Sequence, residues 1–146
     1  MRKVDLLDEL RSEIGVVSDK CADQVNDLYQ FVCESLQKKV PGYQWVSIYL
    51  VQDYAFVLRH DEGERLLPQR IPFGEGLISV AAARGSMVRE RLSGRVEVYM
   101  PFYRGHHLIG VLVVIAKRAN VIDEEDVSLF MELASLFETK VEKYNS

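Results

Sequence analysis

Residues 108–116 read Leu-Ile-Gly-Val-Leu-Val-Val-Ile-Ala, a run without a single polar side chain. It is far shorter than the roughly 20 residues that a membrane-spanning helix needs. Its β-branched residues predict a strand, over His107 to Lys117, and the absence of alternation predicts that side chains on both sides of it are buried. A strand of that kind sits in the middle of its sheet, and the rest of the chain must cover both faces.

One cover is helical. Leu7, Leu10, Ile14 and Val17 recur at helical spacing over residues 4–17. Ser18 is read as the cap of a second helix, with Cys21, Val25, Leu28, Val32 and Leu36 on its apolar side, ending before Pro41-Gly42. A last helix starts at about Asp123, an N-cap residue, with Glu124, Glu125 and Asp126 at the positive end of its dipole. These acids are read as capping chemistry rather than as a metal site. Two apolar stripes follow: Val127, Phe130, Ala134, Phe137, Val141 and Tyr144, and beside them Leu129, Leu133 and Leu136. A helix with two stripes has two things to touch. The terminal helices therefore serve an intramolecular bundle or a homodimer interface, with residues 1–17 at that interface.

Between these helices the period changes to that of strands. Trp45–Val51 and Tyr54–Arg59 predict a hairpin turning at Gln52-Asp53, followed by a charged loop from Asp61 to Arg65. Met87–Glu90 and Arg95–Pro101 predict further strands, and Tyr103–His106 a turn. The order is that of an α+β domain with an antiparallel sheet. Only the segment from Arg59 to Glu90 is left to cover the second face. It contains Arg-Ile-Pro-Phe-Gly-Glu-Gly-Leu-Ile-Ser-Val-Ala-Ala-Ala-Arg-Gly, residues 70–85.

The known chemical motifs fail on that segment. A dinucleotide loop would need a third glycine at Ser79, a phosphate loop would need Gly-Lys-Ser/Thr, and no cysteine stands nearby. His106 and His107, adjacent on a strand, point to opposite faces and do not share a metal. The two cysteines, Cys21 and Cys33, would lie about 18 Å apart on one helix, too far to pair. A net charge of −4 with no basic stripe argues against nucleic acid. The N-terminus carries acids within its apolar pattern, unlike a secretory signal, so a cytoplasmic location is expected.

What remains is binding. A helix starting near Gly76 or Leu77 offers unpaired N–H groups to a small anion. Trp45 and Tyr49 share one strand face, and Phe56 lies on the next strand, so aromatics and the helix end would enclose a cavity.

Gln-Trp-Val-Ser-Ile-Tyr-Leu-Val, the 70–85 segment, Glu97–Val114 and the terminal Asp123–Phe137 together resemble a GAF domain, from about residue 20 to the C-terminus. The resemblance implies a single domain: a central antiparallel sheet of about six strands, terminal helices on one face and a ligand pocket beneath a loop and short-helix cap on the other. Within that group, Trp-Val-x-x-Tyr-Leu and Ile-Pro-Phe-Gly-x-Gly are similar to the free methionine-(R)-sulfoxide reductases. Those enzymes act through cysteines. Ile78 stands where the first would be, and the acidic contacts of their later strand appear here as Leu112-Val113-Val114-Ile115. Similarity to the small bacterial nitrate receptor implies an anion beside Trp45, Leu77, Ile78 and Tyr99.

The resulting expectation is a non-catalytic cytoplasmic sensor without cofactor or metal. Its ligand-binding residues are Trp45, Tyr49, Phe56, Phe73, Gly76, Leu77, Ile78 and Tyr99, the ligand is a small molecule or anion, and the partner is a second copy together with a signalling kinase or regulator. The alternatives are an interaction domain whose pocket has collapsed onto Trp45, Phe56 and Phe73, and a sulfoxide-reductase-like enzyme.

Overall fold

A computed structural model describes residues 2–20, 24–118 and 121–145, with side chains through Lys140. The elements are α1 (Lys3–Lys20), α2 (Val25–Lys39), β1 (Tyr43–Gln52), β2 (Ala55–Gly63), β3 (Arg70–Pro72), α3 (Gly76–Arg84), β4 (Val88–Leu92), β5 (Arg95–Arg104), β6 (His107–Ala116) and α4 (Glu124–Asn145). The strands form one six-stranded sheet in the order β3-β2-β1-β6-β5-β4, and every neighbouring pair is antiparallel.

The apolar run does what its lack of alternation requires. β6 lies between β1 and β5, and its residues divide between two separate cores. Leu112, Val114 and Ala116 join Leu7, Leu10, Leu28, Val32, Phe130 and Phe137 beneath α1, α2 and α4. Val111, Val113 and Ile115 join Trp45, Tyr49, Phe56, Ile78 and Ala81 beneath α3. Full burial of side chains of this size contributes about 1.5–3 kcal/mol each, so the two cores together fix the sheet between its covers. Gly110 shows how close that packing is: a Cβ there would stand 2.4 Å from the Tyr49 carbonyl oxygen.

Both stripes of α4 are used within the chain. Leu129 and Leu133 are buried together with Val127, Phe130, Ala134 and Phe137. Val141 and Tyr144 lie outside the described side chains. At the start of the helix, Asp123 caps as its residue type implies, Oδ1 accepting from the N–H groups of Glu125 at 2.9 Å and Asp126 at 3.4 Å. Asp126 turns inward and is fully buried. Its Oδ2 accepts from the Asp123 N–H at 2.9 Å and pairs with Lys3 Nζ at 2.5 Å, and Oδ1 accepts from the Tyr43 hydroxyl. One carboxylate thus ties α1, β1 and α4 together.

Four expectations need correction. Ser18 does not start α2, which begins at Val25; it is buried in the last turn of α1. The inward stripe runs Leu7, Leu10, Ile14, Ser18, and burial of that stripe overrides the local capping preference of serine. α1 and α2 are separate helices, so the one-helix distance between the cysteines does not apply; Cys21 lies outside the described residues, and Cys33 is a buried free thiol. Asp61–Gly63 continue β2 instead of forming a loop, and Tyr103 and Arg104 belong to β5, leaving the turn to Gly105 and His106.

A bulge between Ile48 and Tyr49, opposite Leu58 and His60, changes which face β2 presents. His60 points toward Tyr29 on the helix side, while Asp61 comes under Trp45 on the cap side.

Candidate ligand-binding site

The cap face carries the site. Pro72 is followed by a turn at Phe73-Gly74, and α3 begins at Gly76 with no side chain capping its first turn. Gly74 has φ +92° and Gly76 φ +72°, values that glycine adopts without a Cβ penalty. The helix stops at Gly85, φ +70°, whose N–H donates to the Ala81 carbonyl at 2.9 Å. Only Ile78 and Ala81 of α3 are fully buried, and Tyr103 adds a hydroxyl bond to the Ala82 carbonyl at 3.0 Å.

Two cavities flank this helix. The inner one, about 420 Å³, lies between the first turn of α3, the Leu67-Pro68 loop and the β4–β5 hairpin. Ile71, Leu77, Ile78 and Leu92 make its apolar wall; Glu75, Arg95, Glu97 and Tyr99 bring polar groups to it. The outer one, about 320 Å³, lies among Phe56, Phe73, Ser79, Ala82, Ala83 and Leu108.

The expected site residues separate accordingly. Gly76, Leu77, Ile78 and Tyr99 line the inner cavity, and Phe56 and Phe73 line the outer one. Trp45 and Tyr49 lie beneath, fully buried, their rings edge to face with centroids 6.2 Å apart. Their polar atoms are already spent: Trp45 Nε1 donates to Asp61 Oδ2 at 2.9 Å, and the Tyr49 hydroxyl donates to the Pro68 carbonyl at 2.6 Å. Burial pushes the Tyr49 hydroxyl well above the usual phenol range. Tyr49 thus ties down the 64–69 loop at Pro68, and Trp45 reaches that loop through Asp61, which also accepts from Arg65 Nε at 3.2 Å.

Three of the polar groups of the inner cavity form one network. Arg95, Glu97 and Tyr99 occupy alternate positions of β5 and so face the cap together. Glu97 is only 3 % exposed. Its Oε2 accepts from Arg95 Nε at 2.9 Å and Nη2 at 2.6 Å, and its Oε1 accepts from the Tyr99 hydroxyl at 2.5 Å. Burial, and then the bond to Glu97, push the Tyr99 hydroxyl far up, so it remains a donor at every working pH. Arg95 and Glu97 are not among the residues that the sequence assigns to the site. The signal was their two-residue spacing with Tyr99, which places all three on one strand face.

Among the described residues, the cavity walls hold neither thiol nor imidazole. Cys33 lies on the opposite face of the sheet, its Sγ donating to the His60 carbonyl at 3.8 Å, and burial raises its pKa far above the usual thiol range.

No protein-family model and no curated protein sequence matches the chain. Solved structures do. The free methionine-R-sulfoxide reductase of Neisseria meningitidis, in complex with its substrate, superposes with a TM-score of 0.86 at 26% identity over 99% of this chain and 93% of its own. A putative GAF sensor protein from Burkholderia vietnamiensis gives 0.85 at 20% identity over 99% and 94%. The GAF domain of a phosphoenolpyruvate-protein phosphotransferase from Coxiella burnetii gives 0.80 at 17% identity over 96% and 95%. The chain has the GAF fold: a six-stranded antiparallel sheet with terminal helices on one face and a short-helix cap on the other.

Proposed function

We propose that this protein is a binding module that takes a small zwitterionic molecule, of amino-acid type, into the inner cavity and does not turn it over. The observation that carries the reading is the buried Glu97 carboxylate on a largely apolar cavity wall, opposite the uncapped first turn of α3. An ammonium group is held by the acceptor capacity left on Glu97 Oε1, which has two lone pairs and takes one bond, from the Tyr99 hydroxyl. A carboxylate is held by the open N–H groups at the start of α3. An apolar side chain fits against Ile71, Ile78 and Leu92. The volume falls within the usual range for small-molecule sites, about 300–1,000 Å³. A bare anion meets the α3 end favourably but also meets Glu75 and Glu97, and the Arg95 cation is already engaged by Glu97. The substrate named for the Neisseria relative, free methionine-R-sulfoxide, is a zwitterion of this kind. Binding without turnover is supported by a cavity wall that has Ile78 and no thiol, because thiol chemistry needs a thiolate.

The output of such a module runs to the terminal helices and through them to a second copy or a signalling kinase or regulator. Both stripes of α4 pack internally, and among the described residues Val16, Val17 and Phe31 on α1 and α2 form an apolar groove that a second copy would cover.

A thermal-shift panel of amino acids, including methionine and its sulfoxide, beside nitrate, sulfate and simple amines tests the ligand class. Zwitterions are expected to stabilise most, by about 2.7 kcal/mol at a hundredfold excess over Kd. Equal stabilisation by nitrate alone makes this an anion sensor, and no stabilisation by any compound removes the reading.

A further inference from the structure

α3 is a partition. Ser79, Ala82 and Ala83, at i, i+3 and i+4, form its outer flank, whereas Leu77 and Ile78 wall the inner cavity, and the buried Ile78–Ala81 stripe runs between them. We propose that the outer cavity is a second ligand site, for a neutral aromatic or aliphatic molecule, and that α3 transmits its occupancy to the inner cavity. This goes beyond the function proposed above and does not depend on the identity of the inner ligand.

The chemistry of the outer cavity sets the class. Its one polar side chain is Ser79, and the Ser79 hydroxyl is already engaged on both sides: it donates to the Glu75 carbonyl at 2.6 Å and accepts from the Gly74 N–H at 3.0 Å. A charged ligand entering there finds no partner for its charge, and that burial is costly. An apolar one finds aromatic surface. Phe73 packs on Phe56 with centroids 4.9 Å apart and meets Tyr54 edge to face at 6.3 Å, yet Phe73 stays 42% and Tyr54 83% exposed. An apolar ring lodged beside Phe73 extends this aromatic series and removes its surface from water. Transmission follows from how lightly α3 is held. Only Ile78 and Ala81 are buried, glycines with positive φ stand at both ends, and a ligand that displaces Ser79 and Ala82 moves the turn that walls the inner cavity.

The test is a titration with 5-fluoroindole, a neutral aromatic probe, followed by ¹H–¹⁵N spectra. Saturable shifts are expected at Gly74, Ser79, Ala82 and Leu108, accompanied by shifts at Gly76, Leu77 and Ile78. They should vanish in Ala83→Phe, which fills the cavity from an exposed position. If Ala83→Phe fails to fold, Phe73→Ala serves instead, because it removes the aromatic wall. No saturable shift in the wild type, or unchanged shifts in the wall variant, overturns the site. Shifts confined to the outer wall overturn the transmission.

Discussion

The Tyr99 hydroxyl donates to Glu97 Oε1 at 2.5 Å from two residues along the same strand, so the carboxylate and its donor face the inner cavity as a unit. Arg95 completes that unit from the other side through Oε2. A carboxylate so buried is retained only where its partners satisfy it, as Arg95 and Tyr99 do here.

Lys3→Met is expected to destabilise the fold by about 2 kcal/mol or more. It leaves the fully buried Asp126 without its cation. The loss should stay below the 3–5 kcal/mol of a fully enclosed pair, because Lys3 keeps 31 % of its side-chain exposure. Chemical denaturation of the single variant and of Lys3→Met combined with Asp126→Asn checks this: the second change should recover part of the loss, and strict additivity would refute the coupling.

Gly110→Ala is expected to cost about 3 kcal/mol or more, since the new methyl group meets the Tyr49 carbonyl and the Phe102 ring. Gly94→Ala meets no atom within 4 Å and pays only for its positive φ of +83°. Melting temperatures of the two variants should differ clearly, and similar values would contradict the tight β1–β6 packing.

His60 introduces a pH dependence. Burial first, and then Arg59, hold its pKa below the usual histidine value, against the opposing pull of Asp27, Asp61 and Glu34. Its Nε2 has no hydrogen-bond partner among the described residues. The unfolded chain therefore binds the proton more readily than the folded one. The stabilisation is complete above about pH 6.5 and is lost as pH falls through the lower folded value. Comparing melting temperatures between pH 7.5 and 5, the wild type should lose more than His60→Gln; parallel profiles would refute the role of His60.

Val16→Glu tests the second copy. Val16 is 53% exposed beside Val17 and Phe31. Sedimentation velocity should show the wild type at twice its 16.7 kDa and the variant at the monomer mass. A monomeric wild type would remove the dimer.

Much of this fold is legible because strong patterns override local preferences. The apolar run of β6 requires two covers, and the structure supplies them. The spacing of Val127, Phe130, Ala134 and Phe137 gives α4 its buried face. Ser18 misleads because a single residue's capping preference is weaker than the stripe it completes. Asp61 misleads because charge reads as loop, whereas the β2 bulge turns that charge inward to bond Trp45. The site is harder still. Trp45 and Tyr49 announce themselves as aromatic pocket residues, but their hydrogen bonds to Asp61 and Pro68 make them supports. The charges of the network that faces the cavity, Arg95 and Glu97, come from β5, and only the folding of the β4–β5 hairpin brings them to the first turn of α3.

The central claim, a zwitterion read by Glu97, is tested most directly by calorimetric titration of the most stabilising amino acid from the thermal-shift panel into the wild type and into Glu97→Gln. Loss of a hydrogen bond to a charged group, about 1.5–3 kcal/mol, should weaken binding by roughly 10- to 150-fold while the variant's melting curve stays cooperative. Equal affinity in a folded Glu97→Gln protein would contradict the account.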